Sequence, residues 1–327
     1  MLAHEPVVAA ARSGPSGRID FRPLFARVRP ELAAADLAIC HLETPLSADD
    51  RHISYWPTFS APPEVAPALA DAGYDTCSTA SNHSLDQGVA GVTTTLDALD
   101  RAGVAHVGSA RSATEAAIPR IYVVRGYRVG HLAYAFSFNG FRRPVGKPWL
   151  ANPIDPSRIL RDAHAIRVAG AQFVVVSLHW GEQYQSAPTA DQRNLARRLL
   201  GSPDIDLILG HHAHVVQPVE RVNGKFAVYG MGNFLAKHAP CCDTPATRDG
   251  VIVRVVVANV SGRLLVRRLT FTPTWVDQRS LVVLPVAQAL ADPATPAGDR
   301  SALRASWRRT VSVVESLAGA RAGVVPG

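Results

Sequence analysis

Short apolar runs alternate with amphipathic segments through the first two thirds of the chain. DLAICHL (36–42) and YDTCSTA (74–80) predict buried strands, and VAHVG a short one. Between the first two, PPEVAPALADAGY predicts a helix with prolines in its opening turn and Gly73 at its end. Val89, Val92, Leu96 and Leu99 recur at helical spacing up to Gly103, with Asp86 placed as the N-cap. IYVVRGYRVGHLAYAF predicts two strands joined at Gly126, and DPSRILRDAHAIRVAG a capped helix. QFVVVSLHW (172–180) is a β-branched run bounded by glycines, the clearest strand in the chain. A helix around 189–200 puts Leu195, Ala196, Leu199 and Leu200 on one face, and DIDLILG (204–210) is the next buried strand.

After residue 213 the rhythm becomes a meander. HVVQPVE, GKFAVYG, GVIVRVVVANV and RLLVRRLTFTPTWV predict successive strands, with VSGR as a hairpin turn. A βαβ-like first part followed by a meander gives an α/β class with two packed sheets and flanking helices. Residues 1–286 are expected to form one domain, and 287–327 a C-terminal helix and a loose tail.

Composition narrows the function classes. The 327 residues are 47% hydrophobic and 19% charged, without an apolar run long enough for a membrane-spanning helix. The net charge of +7 is spread over small clusters, and only 7% of residues are aromatic. That pattern suits a solvated face that draws in an anionic substrate, and argues against a nucleic-acid partner. Cys40, Cys77, Cys241 and Cys242 are too few for a disulfide scaffold and form no CxxC motif, so their pairing stays open. MLAHEPVVAAA lacks the basic and apolar regions of an export signal.

The chemistry-bearing residues collect at predicted strand ends, where open α/β sheets bind ligands. One run stops at His41 and Glu43, another at Asn82, His83 and Asp86. A third stops at His179 and Glu182, and a fourth at His211, His212 and His214; Asn233 follows a later one. Each has an ordinary reading alone: a hydrogen-bonded surface histidine, an Asn/Asp turn and cap, a carboxylate paired with arginine. Their coincidence on one edge points to a site of nitrogen and oxygen donors, suited to Zn, Mn, Fe or Mg. Of the crowded histidines, His211 is expected to face away, and His106 and His131 to be packed within strands.

DLAICHLETPLS, TASNHSLDQGVAGVTTTLDALDRAGVAHVGSAR, VVSLHWGEQY, LILGHHAHVVQPVE and VYGMGNF together resemble the CapA family of bacterial capsule and poly-γ-glutamate synthesis proteins. The five blocks are in order, from about residue 2 to about 260. The resemblance implies a four-layer α/β/β/α sandwich of the calcineurin-like metallophosphoesterase type with two divalent ions. It implies metal ligation by Glu43, Asn82, His179, His212 and His214, and proton donation by His83 oriented by Asp86. It implies a metal-dependent hydrolase of a phosphoester or related bond, at the cell envelope, associated with membrane-bound capsule synthesis machinery. The partner is an anionic small molecule or polymer. A non-catalytic polymer-binding or assembly protein on the same fold is the alternative, and a metal-independent domain with structural histidines a third reading.

The family pattern has Asn where this chain has His41, and a second Asn at Ser81, so His41 is a candidate to add or displace a ligand. The family also opens with an apolar strand ending in Gly-Asp, whose Asp is a ligand; no such unit stands here. The expectation is a chain that starts about one strand late through a misplaced start codon, short of one strand, one carboxylate and any upstream export signal.

Overall fold

The computed structural model describes residues 3–12, 17–317 and 324–326. Strands β1 (Ile39–His41), β2 (Thr76–Ser78) and β3 (Ala105–Val107) form a parallel three-stranded sheet. A six-stranded sheet runs β4 (Ile121–Val124), β5 (Tyr127–Ala135), β6 (Phe173–His179), β7 (Leu207–His211), β9 (Lys225–Val228), β8 (Val219–Val222). Strands β5, β6, β7 and β9 are parallel, and β4 and β8 close its edges antiparallel. The meander supplies β10 (Asp249–Val260), β11 (Arg263–Val276) and β12 (Val283–Pro285), all antiparallel.

Three cores hold these sheets in four layers. Every residue of β6 is buried, as its place between two parallel neighbours requires. Val174, Val176 and Leu178 face the helices Pro156–Val168 and Ala190–Leu200. Each such side chain stabilises the fold by roughly 1.5–3 kcal/mol. Phe173 and Val175 point the other way and pack with Leu207, Leu209, Val251, Leu269 and Phe271 between the sheets. Cys40, Leu42 and Cys77 lie with Val7, Phe25 and Leu69 of the outer helices. The order is thus helix, sheet, sheet, helix, the α/β/β/α sandwich.

Local sequence sets the joints. The helices Val65–Ala72 and Gly88–Ala102 end at Gly73 and Gly103, both left-handed (φ 101° and 75°). The helix Ala190–Leu200 opens on a reciprocal Thr189–Gln192 capping box. Arg125-Gly126 and Ser261-Gly262 both take positive φ, as two-residue hairpin turns require.

Two expectations change and one open pairing is resolved. Asp86 does not cap the helix after it; that position is Gln87, and the Asp86 carboxylate is drawn into tertiary hydrogen bonds. The tail is not wholly loose: Val324–Pro326 forms β13, parallel to β11, with Val324 fully buried; residues 318–323 and 327 lie outside the described residues. Cys40 and Cys77, opposite each other in register on β1 and β2, are joined as a disulfide, while Cys241 and Cys242 are free.

Helix Ala297–Glu315 docks on the meander. Ser306 Oγ donates to Asp249 Oδ1 at 2.7 Å and Arg309 Nε to Asp249 Oδ2 at 2.6 Å. Among the described residues no ladder joins β1 to the four-stranded sheet, and no helix is long and apolar enough to cross a membrane.

Candidate metal centre

The carboxyl ends of β1, β2, β6, β7 and β9 open onto one place, so side chains far apart in sequence meet there. The histidines are met in order from the interior outward. His41, the last residue of β1, sets Nδ1 2.7 Å from Ser78 Oγ and Nε2 2.9 Å from His179 Nδ1. That contact occupies one nitrogen of His179 and turns the other, Nε2, toward the cluster. His179 Nε2 lies 2.8 Å from Asn82 Oδ1, 3.1 Å from His212 Nδ1 and 3.8 Å from Glu43 Oε1. His214 Nε2 lies 3.5 Å from the same Glu43 oxygen, and its Nδ1 is 3.0 Å from Asn233 Oδ1. A backbone-anchored amide thus orients His214, because Asn233 also donates to the Thr247 carbonyl at 2.8 Å.

The segment after β7 is bent to make this possible. His212 and His214 have φ of 90° and 56°, a conformation uncommon outside glycine. Such backbone persists where surrounding structure holds it, and clusters at functional sites. Gly210 permits the packing beneath: a Cβ there would fall onto the Tyr229 carbonyl oxygen, which the Trp180 indole already binds at 2.9 Å.

Electrostatics favour neutral imidazoles beside an ionised carboxylate. Burial, followed by neighbouring histidines, holds His41 and His179 well below the usual 6.5. Burial also lowers His212, to about 4, although Glu43 opposes the shift. Burial alone would raise Glu43, but His214, His83 and His212 outweigh it and bring the carboxyl below its ordinary value. Glu43 Oε1 is buried without a hydrogen-bond partner. An ionised oxygen buried that way is costly unless a cation answers it.

Glu43, His179 and His212 each offer a donor atom within 4.8 Å of the others. With Asn82 and His214 alongside, the set is all nitrogen and oxygen, and burial keeps His179 and His212 deprotonated for ligation. The residues present fit a divalent ion. Asp100, His106 and Glu115 also cluster, but Arg111 donates to both carboxylates, which already answers their charge.

His83 stands at the rim with Nδ1 2.7 Å from Asp86 Oδ2, an oxygen that also accepts the Phe59 backbone N–H at 2.7 Å. The expected residues Glu43, Asn82, His179, His212 and His214 are brought together, with the His83–Asp86 pair beside them. Glu182 is exposed. His41 stands behind His179 as its hydrogen-bond partner, outside the donor group. His211 stacks flat on His41 at 4.1 Å, away from that group. His106 and His131 are buried within β3 and β5.

Sequence reading missed several neighbours. His238 lies 4.8 Å, ring to ring, from His214, and His4 lies 5.0 Å from His238. Phe136 packs its ring 4.6 Å from that of His212, and the Asn139 side-chain oxygen accepts from Asn82 Nδ2 at 3.1 Å. The available signal was the carboxyl end of β5, which leads straight into Phe136 and Asn139 but carries no histidine or carboxylate.

Known proteins resemble the chain in sequence. It is 29% identical over 270 residues to the PGA biosynthesis protein CapA of Bacillus subtilis, covering 79% of this chain and 68% of that protein. It is 27% identical to the capsule biosynthesis protein CapA of Bacillus anthracis, covering 65% of this chain and 53% of that one. It is 31% identical to a probable polyglutamine synthesis accessory protein of Mycobacterium tuberculosis, covering 62% of this chain and 56% of that one. The chain therefore spans about half to two thirds of these relatives' lengths. Among solved structures, the 5′-nucleotidase precursor of Thermus thermophilus is similar with a TM-score of 0.47 at 17% identity, over 93% of this chain and 53% of that one. The calcineurin-like phosphoesterase YfkN of Bacillus subtilis gives 0.45 at 12% identity, over 76% and 74%. Residues 1–238, which make up most of the chain and include every strand end that builds the metal centre, Asn233 among them, match one family throughout: the chain belongs to the bacterial capsule synthesis proteins, PGA_cap.

Proposed function

We propose that the protein is a divalent-metal-dependent hydrolase that cleaves a phosphoester or related bond in an anionic substrate of capsule or poly-γ-glutamate synthesis, at the cell envelope. The observation that carries this reading is the buried Glu43 Oε1, without a hydrogen-bond partner, facing neutral His179 and His212 with His214 beside them. Glu43, Asn82, His179, His212 and His214 would hold the ions. Bound there, divalent ions supply Lewis acidity and an activated water.

The chain's own residues supply the rest. Asp86 fixes the Nδ1 proton of His83, which leaves Nε2 to deliver a proton to the departing oxygen. The second hydrogen bond to Asp86, from the Phe59 amide, holds the carboxylate in place. His41 and Asn233 fix the rings of His179 and His214 so that the ligating nitrogens point inward. The anionic partner is drawn by a chain whose Lys and Arg (34) exceed its Asp and Glu (27). Association with membrane-bound capsule synthesis machinery is part of this proposal; relatives named for PGA and capsule biosynthesis support a place in that synthesis.

The test is metal analysis of purified protein joined to turnover of 4-nitrophenyl phosphate, with and without chelator. Bound metal and chelator-sensitive turnover are expected. Bound metal without turnover of any phosphoester would leave a non-catalytic polymer-binding role, and absence of bound metal after loading would end the metal reading altogether.

A further inference from the structure

Loop 136–148 runs along one wall of the metal centre and is unlike the rest of the surface. It starts where β5 ends, with the Phe136 amide donating to the His179 carbonyl at 3.0 Å. Phe136 touches His212 yet is 48% exposed, and Phe141 is 43% exposed. Asn139 turns the loop with φ 51°, and its side chain reaches Asn82 and lies 3.4 Å from His83 Nδ1. Beyond it, Phe136, Phe138, Phe141, Arg142 and Arg143 line a cleft of about 460 Å³. That volume lies within the range of small-ligand pockets.

The charge in this cleft is unanswered. No Asp or Glu occurs between Glu115 and Asp155, whereas Arg142, Arg143 and Lys147 crowd the loop. Arg142 is exposed and enters no ion pair or hydrogen bond among the described residues. Arg143 is half-buried and donates to the Pro148 carbonyl at 2.7 Å, which fixes its direction. Exposed rings beside cations without counter-charges mark a surface that takes a ligand both apolar and anionic.

Position says which half of the substrate. The loop touches the centre at His212 through Phe136 and at Asn82 and His83 through Asn139, and His83 is the residue assigned to protonate the departing oxygen. We propose that this cleft holds the leaving-group half of the substrate, and that this half is an apolar or aromatic unit bearing a second anion, a carboxylate or a phosphate, paired with Arg142 and Arg143. The proposal rests on the hydrolase reading above for the identity of the half, but the pocket itself is measurable by binding alone.

The experiment is calorimetric titration of the Mn²⁺-loaded full chain with three inert probes: phenylphosphonate, 4-carboxyphenylphosphonate and 1,4-phenylenediphosphonate. The second anion is expected to tighten binding by about tenfold or more, and the carboxylate and phosphonate arms distinguish the two anion types. In Arg142→Glu that advantage should shrink to about twofold or less, and Arg142→Lys should restore most of it. Phe141→Ala should weaken all three probes. Arg101→Glu, an exposed charge reversal elsewhere, should leave the ratio between probes unchanged. Equal binding of the three probes, no binding of any at millimolar concentration, or an undiminished ratio in Arg142→Glu would overturn the pocket. An Arg142-dependent ratio in a protein that turns over no phosphoester would overturn the hydrolase reading and leave the pocket standing.

Discussion

His83 Nδ1 and Asp86 Oδ2 lie 2.7 Å apart, both buried, with the Phe59 amide on the same oxygen. On the proposed reading the pair handles a proton beside the donor group, not within it. Replacing His83 with Ala should therefore lower turnover by about 100-fold or more while most metal stays bound. His211→Ala should change turnover far less, since His211 only stacks on His41. Metal analysis and initial rates on both variants decide this; loss of metal in His211→Ala with retention in His212→Ala would place the wrong histidine in the donor group.

Glu43→Gln keeps the shape of the side chain and removes its charge. The donor group then faces a divalent ion without its carboxylate. Metal affinity should fall by at least about tenfold, read by calorimetric titration with Mn²⁺ or Zn²⁺. Unchanged affinity would show that Glu43 is not a ligand.

Gly210 has no room for a side chain between the Tyr229 carbonyl and the Trp180 indole. Gly210→Ala should destabilise the fold by about 3 kcal/mol, at the upper end of overpacking costs. It should also weaken metal binding, because the displaced backbone is the one that carries His212 and His214. A melting temperature equal to that of the parent protein would contradict this geometry.

His131 provides a pH signal inside β5. It is fully buried against Ser177 Oγ at 2.9 Å, and burial lowers it from the usual 6.5 to about 3. Above the unfolded value both states are neutral and the full stability is present. As pH falls from 6.5 toward 3 the unfolded chain takes up a proton that the folded chain refuses, so stability is lost. His131→Gln, which can keep the bond to Ser177, should reduce the slope of stability against pH in that window by about 1.4 kcal/mol per pH unit at most. Denaturant titrations of the parent protein and the variant between about pH 4 and pH 7 measure it, and identical slopes would refute it.

Strand β6 was legible because VVVSL between two glycines leaves no other buried reading, and the hairpin turns because Arg125-Gly126 and Ser261-Gly262 carry the residue that positive φ favours. The donor group was legible as strand-end chemistry. What the sequence hid was direction. The hydrophobic pattern placed His41 and His179 at strand ends but could not say that one ring stands behind the other. Asp86 precedes a helix, as caps do, yet its partners His83 and Phe59 are a matter of tertiary packing. Val324–Pro326 reads as a tail because its strand partner β11 begins some sixty residues earlier. Phe136 and Asn139 escaped because neither is a residue type that marks catalysis.

The donor group draws on the three-stranded and six-stranded sheets, with 97 residues separating Asn82 from His179, and the supporting contact from His41 to His179 spans 138. No local segment can assemble it. During folding, the loop-closure entropy for these long separations must be met before the site's contacts return anything. Capacity to bind metal should thus appear only when the two sheets have docked, and an ion that binds the docked state alone shifts the folding equilibrium toward it. Metal uptake in a refolding experiment becomes a clock for the last long-range step, and the order of addition, ion before or after dilution from denaturant, reports whether the ion captures that step or merely follows it.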